Sequence, residues 1–311
     1  MLLILVPAKA MPANADAGLT GLVVVDKEPG WTSHDVVARC RRIFSQRRVG
    51  HAGTLDPDAS GVLLVGLGRF TRMLRFVQSL QKSYVGEVVL GTSTSTLDSS
   101  GDVTGTWDMS AVSLEDAVAA AKQLTGNIQQ VPPMVSAIKV DGTRLHELAR
   151  QGIEIDRKPR WVTVDRFDVF EVPGSTGVFR IEVDCSTGTY VRSLAADLGT
   201  ALSGGAHLRA LRRLKVGSFG DAESHRLDEL VPQHILTPAQ GLRDLQRLEA
   251  GAETARRVAH GLPIDRTSFR ETGATAIGPG PYAVVDHSGR LLAVYESGGA
   301  DRIVAACVLA S

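Results

Sequence analysis

The sequence predicts an α+β fold, with a mixed, mainly antiparallel sheet flanked by helices and a small β-barrel-like domain after it. Two observations lead to this class. Strands and helices are mixed without the regular alternation of a doubly wound parallel sheet. After about residue 235 the pattern changes to short strands separated by turns. We therefore expect a large domain over residues 19–235 and a compact second domain over residues 236–311.

The first 18 residues are excluded from the predicted fold. Residues 1–6 are apolar, but the run is short, lacks a basic segment before it and is interrupted by Pro7, unlike a secretory signal. Met11 follows closely, and the next residues are small and polar. We expect residues 1–18 to be a disordered leader or the product of an upstream start.

A buried strand and a helix open the folded chain. Residues 21–26 form a short, valine-rich apolar run that ends at a proline–glycine turn. Thr32 stands three residues before Asp35, and apolar residues then recur at helical spacing, which is typical of a capping box. The sequence therefore predicts a helix that begins near residue 32.

The later elements follow from the same two periodicities and from turn residues. Strands are predicted at residues 62–65, 84–90, 161–170, 178–185, 283–286, 291–295 and 303–309. Helices are predicted at residues 113–126, 143–151 and 190–202. The strands at 161–170 and 178–185 are expected to pair in antiparallel fashion.

Composition limits the class of partner and the compartment. Lysine plus arginine and aspartate plus glutamate both total 34, so any nucleic-acid surface must be local. The three cysteines are far apart and lack CxxC spacing, which argues against a disulfide framework or zinc site and favours a reducing cytoplasm. Neither a Rossmann nor a P-loop glycine pattern is present.

The loop at residues 50–61 is the most informative segment. Its glycines and proline fix a tight turn between a basic segment and a buried strand, where a reactive side chain can be held rigidly. Local chemistry alone favours Asp56 as a simple turn initiator before Pro57. Asp58 is an equal candidate for the working carboxylate if a metal is involved.

Four segments, in the same order, resemble motifs of the bacterial tRNA pseudouridine-55 synthases, the TruB family. They are LVVVDKEPG at 22–30, GHAGTLDPDASGVL at 50–63, QVPPMVSAIK at 130–139 and CSTGTYVR at 185–192. The likeness covers about residues 21–220, and a weaker one extends to a C-terminal module similar to the RNA-binding PUA domain. Glu28 stands where the family commonly has proline.

This resemblance implies an activity and a catalytic set. The family isomerises a uridine in the T-arm of tRNA, without cofactor or metal, by breaking the bond from N1 to the ribose and rejoining the base through C5. Asp56 matches the family's nucleophile, which attacks either the sugar or the base. Arg192 matches the arginine that pairs with it, and we expect this pair to lower the pKa of Asp56.

The resemblance also assigns residues that bind the extruded uridine. Tyr84 matches the tyrosine that stacks on the flipped base and assists proton transfer. Tyr190 and Leu211 match residues of the base pocket, and His51 matches a histidine that enters the RNA and fills the vacated space. We expect His51 to serve recognition, because no partner that would tune its pKa is evident. Without the resemblance, these residues are as typical of ordinary packing or solvated surface.

Three basic clusters are expected to follow tRNA phosphates. They are Arg39, Arg41, Arg42, Arg47 and Arg48; Arg157, Lys158 and Arg160; and Arg209, Arg212, Arg213 and Lys215. We expect the protein to act on tRNA as a cytoplasmic monomer, with no membrane association.

Three alternatives remain at this point. A non-catalytic RNA-binding or tRNA-folding module needs the basic faces but not Asp56. A metal-dependent phosphodiesterase would use Asp56, Asp58 and Asp26. A guide-RNA-dependent relative is disfavoured by the short chain and the bacterial-type first half.

Overall fold

The structure, a computed structural model, describes residues 18–136, 139–140, 143–144, 153, 155–272, 278–299 and 301–309. The predicted leader lies outside these residues except for Gly18. So does most of the predicted helix at 143–151. Its two described residues, Thr143 and Arg144, lie in a short strand, so the prediction is wrong at its start.

A nine-stranded sheet forms the centre of the fold. Its strands are β1 (Gly21–Lys27), β2 (Val49–Ala52), β3 (Ser60–Leu67), β4 (Lys82–Leu90), β7 (Gly126–Gln130), β10 (Arg160–Glu171), β11 (Val178–Cys185), β12 (Ala206–Val216) and β13 (Phe219–Gly220). Two separate hairpins pair β5 (Thr92–Thr94) with β6 (Val103–Thr106) and β8 (Lys139–Val140) with β9 (Thr143–Arg144).

The main path of this sheet is β1-β3-β12-β4-β11-β10-β7. All of its ladders are antiparallel except the short contact of β3 with β12. The predicted pairing of β10 with β11 is confirmed, with Phe167 opposite Val183. The predicted α+β class with a mainly antiparallel sheet is likewise confirmed.

Six α-helices are described alongside the sheets. They are α1 (Ser33–Ile43), α2 (Leu74–Gln78), α3 (Leu114–Gln123), α4 (Val191–Ala201), α5 (Pro238–Gly241) and α6 (Ala252–Ala259). The predicted capping box of α1 is confirmed, because the Thr32 hydroxyl accepts from the Asp35 amide at 3.1 Å and Asp35 accepts from the Thr32 amide. Ser113 and Asp116 form a second one at α3. No helix among the described residues is both long and apolar enough to span a membrane.

A five-stranded sheet forms the C-terminal part. Its strands are β14 (Gln246–Glu249), β15 (Ile264–Asp265), β16 (Tyr282–Val285), β17 (Leu291–Ser297) and β18 (Arg302–Val308), in the order β14-β16-β17-β18-β15. Within the described residues its edge strands do not pair with each other, so the sheet is a half-barrel. It shares an apolar core with the large sheet, in which Leu22 and Phe70 join Val285 and Val294.

The long strand β12 was not predicted. Its alternation of buried and exposed residues is irregular, and its pairing with β4 shifts register twice. Four basic residues along it also obscured the strand pattern, although β12 lies between β3 and β4 at the centre of the sheet. This position brings Leu211 and Arg213 to the site described next.

Candidate active site

The loop between β2 and β3 holds Asp56 between two anchored neighbours. Leu55, which is 3% exposed, donates its amide to the Ser33 hydroxyl at 3.0 Å, and that hydroxyl donates to the Leu55 carbonyl at 3.2 Å. The carbonyl of Pro57 accepts from the Gly30 amide at 2.9 Å. Because the residues on both sides of Asp56 are fixed, its backbone is fixed as well.

Lys27 adds a third anchor, to which the sequence had assigned no role. The side chain is fully buried, and its ammonium group donates to the carbonyls of Pro57 at 3.0 Å, Trp31 at 2.7 Å and Glu28 at 3.0 Å. These three bonds use all of its donors. Burial lowers the pKa of Lys27 to about 8, although nearby Asp56 opposes the shift.

Arg192, on the first turn of α4, meets Asp56 at the floor of a pocket. Its Nε lies 2.9 Å from Oδ2 of Asp56, and its Nη2 donates to Oδ1 at 3.1 Å, which is bidentate geometry. The guanidinium is 4% exposed, whereas 42% of the Asp56 side chain remains accessible. Further bonds to the carbonyls of Thr96 (3.0 Å) and Val135 (2.8 Å) fix it in place. The predicted pairing is therefore present.

A second carboxylate, Asp98, lies beside this pair and was not found from the sequence. Its Oδ2 is 3.5 Å from Nη1 of Arg192, and its Oδ1 accepts from the Thr96 hydroxyl at 2.6 Å and the Ser100 amide at 3.1 Å. No motif had singled it out, because aspartate is common in polar turns such as the one that follows β5.

The pKa of Asp56 is raised overall, although Arg192 itself lowers it as expected. Loss of hydration in the pocket is the largest cause, and the like charge of Asp98 adds to it. The charges of Arg192 and Lys27 oppose the shift without reversing it. Arg192 therefore orients a carboxylate that is more basic than an exposed aspartate.

The pocket above Asp56 has a volume of about 270 Å³ and brings together most of the predicted site. Tyr84 from β4, Tyr190 at the N-terminus of α4 and Leu211 from β12 all line it with Asp56 and Arg192. Tyr84 is 9% exposed, and burial raises its pKa, as it does for Tyr190. Both phenols are therefore neutral at physiological pH and can stack on an uncharged base.

Arg213 is buried in the wall of the pocket, so it does not have the phosphate-binding role that was predicted for it. It is 1% exposed and donates to the carbonyls of Val62 at 2.7 Å and Gly53 at 3.0 Å. Its backbone also crosses Gly61, where φ is +100° and a Cβ would lie 2.2 Å from the Arg213 carbonyl oxygen. Glycine is thus required at position 61.

His51 lies on β2, outside the set that lines the pocket. Its ring contacts that of His34 edge to face, with centroids 5.4 Å apart. Burial, His34 and Arg213 lower the pKa of His51 to about 4, so the expectation that no group tunes it is wrong. The neutral ring at pH 7 is a weak base.

Two further arginines of the third basic cluster form ion pairs within the protein. Arg212 pairs with Asp26 at 3.0 Å and Asp221 at 2.8 Å, and Arg209 pairs with Glu87 at 2.8 Å. Asp26, one carboxylate of the phosphodiesterase alternative, is therefore neutralised by an arginine. In the described part of the chain, no three His, Cys, Asp or Glu side chains are grouped to hold a metal.

Two family models match the chain. Residues 41–191 match the TruB family pseudouridylate synthase N-terminal domain, and residues 192–254 match the tRNA pseudouridylate synthase B C-terminal domain. The chain belongs to the TruB family of pseudouridylate synthases.

Curated relatives named tRNA pseudouridine synthase B match over nearly the whole chain. That of Mycobacteroides abscessus is 45% identical over 90% of this chain and 93% of its own length. That of Rhodococcus jostii is 41% identical over 94% of each.

Solved structures share the fold. The chain in "Crystal Structure of a Cbf5-Nop10-Gar1 Complex" matches with a TM-score of 0.71 and 25% identity, covering 92% of this chain and 83% of that one. The chain in "Structure of H/ACA RNP bound to a substrate RNA containing 2'-deoxyuridine" matches with a TM-score of 0.70 and 23% identity, over 94% and 85%.

Proposed function

We propose that this protein converts the uridine at position 55 in the T-loop of tRNA to pseudouridine, with Asp56 as the covalent catalyst. Its relatives are tRNA pseudouridine synthases B, and pseudouridine formation in tRNA is the activity of that group. The observation that carries the assignment of residues is the bidentate contact between Arg192 and Asp56 at the floor of the pocket.

The geometry supports a division of roles. The uridine leaves the T-loop stack, and Tyr84, Tyr190 and Leu211 receive its base, which offsets an unstacking cost of roughly a few kcal/mol. Asp56 forms a covalent bond to the sugar or the base, and the bond from N1 to the ribose breaks. The base turns, C5 bonds to C1′, and the bond to Asp56 breaks to restore the carboxylate. C5 loses a proton and N1 gains one, and the Tyr84 hydroxyl assists this proton transfer.

The two parts of the chain serve different steps in this proposal. Residues 19–235 carry the catalytic pocket, and residues 236–311, a PUA-like module, add tRNA contacts away from it. His51 enters the T-loop as a neutral ring and fills the space that the uridine leaves. The protein acts as a cytoplasmic monomer and uses no cofactor or metal.

The experiment is to incubate the purified full chain with an unmodified tRNA transcript, in chelator, and to map pseudouridine by base-specific chemical modification. A single pseudouridine, at position 55, is expected. Pseudouridine at another position instead would overturn the T-loop assignment. tRNA refolding without any pseudouridine would favour the non-catalytic folding module instead.

A further inference from the structure

A second cleft, of about 430 Å³, lies along the exposed side of α1 and has no part in the catalysis described above. Trp31, Arg39 and Arg42 line it over a floor that includes Leu227. Trp31 is 37% exposed, although an indole of this size is normally covered. Arg39 and Arg42 stand one helical turn apart, so both guanidinium groups reach the same cleft.

These two arginines are the free charges of the cleft. Neither guanidinium has a hydrogen-bond or ion-pair partner anywhere in the described ranges. The carboxylates at the rim are already engaged. Glu28 lies 2.6 Å and Asp228 3.6 Å from Arg226. Asp35, the remaining carboxylate, caps α1 through the Thr32 amide at 3.0 Å. With Arg226 counted, three arginines balance the three carboxylates in and around the cleft, and the two guanidinium groups that stay unpaired among the described residues lie beside an aromatic face.

The cleft is braced to the catalytic loop. The ammonium group of Lys27 bonds the carbonyl of Trp31 and the carbonyl of Pro57 at once, and the hydroxyl of Ser33, the first residue of α1, bonds Leu55. A helix rises about 1.5 Å per residue, so Arg39 lies only ~9 Å along the axis from Ser33. Through the shared bonds to Lys27, Trp31 at one edge of this cleft borders the loop that carries Asp56.

We propose that the cleft binds a second, unpaired nucleotide of the tRNA substrate, with its base on Trp31 and its phosphate between Arg39 and Arg42. The inference rests on the proposed function. A guanidinium group matches phosphate geometry, and an aromatic face accepts any base, so together they hold a nucleotide without reading its sequence. Two guanidinium groups of the first basic cluster lie beside an exposed aromatic ring in this cleft.

The first test asks whether Trp31 contributes an aromatic stacking face or only side-chain volume. Trp31→Leu is expected to weaken the Kd and raise the KM for a full tRNA transcript by about five- to fiftyfold, whereas Trp31→Phe stays within about twofold of the wild type. A loss in kcat alone, with unchanged Kd, would mean that Trp31 acts only through the Lys27 brace, and the proposal would be overturned.

The second test measures whether Arg39 and Arg42 contact a phosphate. The double variant R39A/R42A is expected to reduce the slope of log Kd against log salt by about one, the amount of one phosphate contact. Lys122→Ala is the matched control, an exposed lysine on α3, and should leave the slope unchanged. An unchanged slope in R39A/R42A contradicts the phosphate contact.

The third test is direct. Trp107→Phe with Trp161→Phe leaves Trp31 as the single tryptophan of three, and tRNA should quench its emission. Unchanged emission contradicts stacking. Equal quenching by uridine monophosphate alone would make the cleft a mononucleotide site and overturn the tRNA assignment. Pseudouridine formation by the wild type is measured separately, so failure of the proposed function is distinguishable.

Discussion

The guanidinium group of Arg192 holds both carboxylate oxygens of Asp56, at 2.9 Å and 3.1 Å. The same group is tied to the carbonyls of Thr96 and Val135, so neither partner can turn without breaking several bonds. This arrangement presents a fixed carboxylate to the pocket, and the orientation of that carboxylate, more than its charge, is what Arg192 supplies.

Replacing Arg192 with lysine should therefore impair chemistry more than binding. Lysine keeps the charge but cannot make two parallel bonds, and misplacement of a reacting group by about 1 Å costs roughly a hundredfold in rate. The single-turnover rate of Arg192→Lys at saturating tRNA should fall by about that factor or more, with Kd within about threefold of the wild type. A near-normal rate would reject the assigned role.

The pH dependence of the rate should report the raised pKa of Asp56. The nucleophile must be ionised, so the single-turnover rate falls as pH drops through the pKa of Asp56 in the folded protein, above the ordinary 3.8. Asp98→Asn removes a like charge and should move this acid limb to lower pH, whatever it does to the maximum rate. If the rate of Asp98→Asn falls over the same pH range as that of the wild type, Asp98 does not act on Asp56.

Lys27→Met tests the anchor beneath the catalytic loop. Methionine fills similar space but donates nothing, so the carbonyls of Glu28, Trp31 and Pro57 lose a charged donor. Stability should fall by roughly 1–3 kcal/mol, measured by urea unfolding. The rate should fall at least about tenfold because Pro57 is released next to Asp56. If the variant loses stability yet keeps the wild-type rate at saturating tRNA, Lys27 does not position the loop.

Asp197 on α4 should make stability depend on pH. Burial raises its pKa from 3.8 to about 6, and it has no hydrogen-bond partner among the described residues. A raised folded pKa favours the protonated form, so the stability from this group is present below about pH 4 and is lost as pH rises through 6.

Asp197→Asn should therefore stabilise the protein at pH 7 by about 1–2 kcal/mol and have much less effect at pH 4. Chemical unfolding of both proteins at the two pH values measures this difference. Equal effects at both values would contradict the burial of an ionised group.

Much of the fold was predictable from local signals. Capping residues marked α1 and α3 because Thr32 and Ser113 bond amides three residues on, a purely local interaction. Period-two alternation located β10 and β11, since each has one face buried in the core. The strand β12 carries bulges and charges that no local pattern resolves.

Site residues were predictable only where they lie in segments that resemble family motifs. Asp56 and Arg192 were found by resemblance, whereas Lys27 and Arg213 resemble surface cations in sequence and prove to be buried against carbonyls. Their partners are distant in the chain, so only the folded structure identifies them. The net rise in the pKa of Asp56 was not predicted for the same reason, because the sequence does not show that Asp98 lies beside it or that a pocket encloses it.

The central claim is that Asp56 is the covalent catalyst, and single-turnover conversion of a tRNA transcript by Asp56→Asn tests it most directly. Asparagine is nearly isosteric and still accepts a bond from Arg192, so the variant should bind tRNA within about threefold of the wild-type Kd. It should form no detectable pseudouridine. Conversion at position 55 at a rate near that of the wild type would contradict the account.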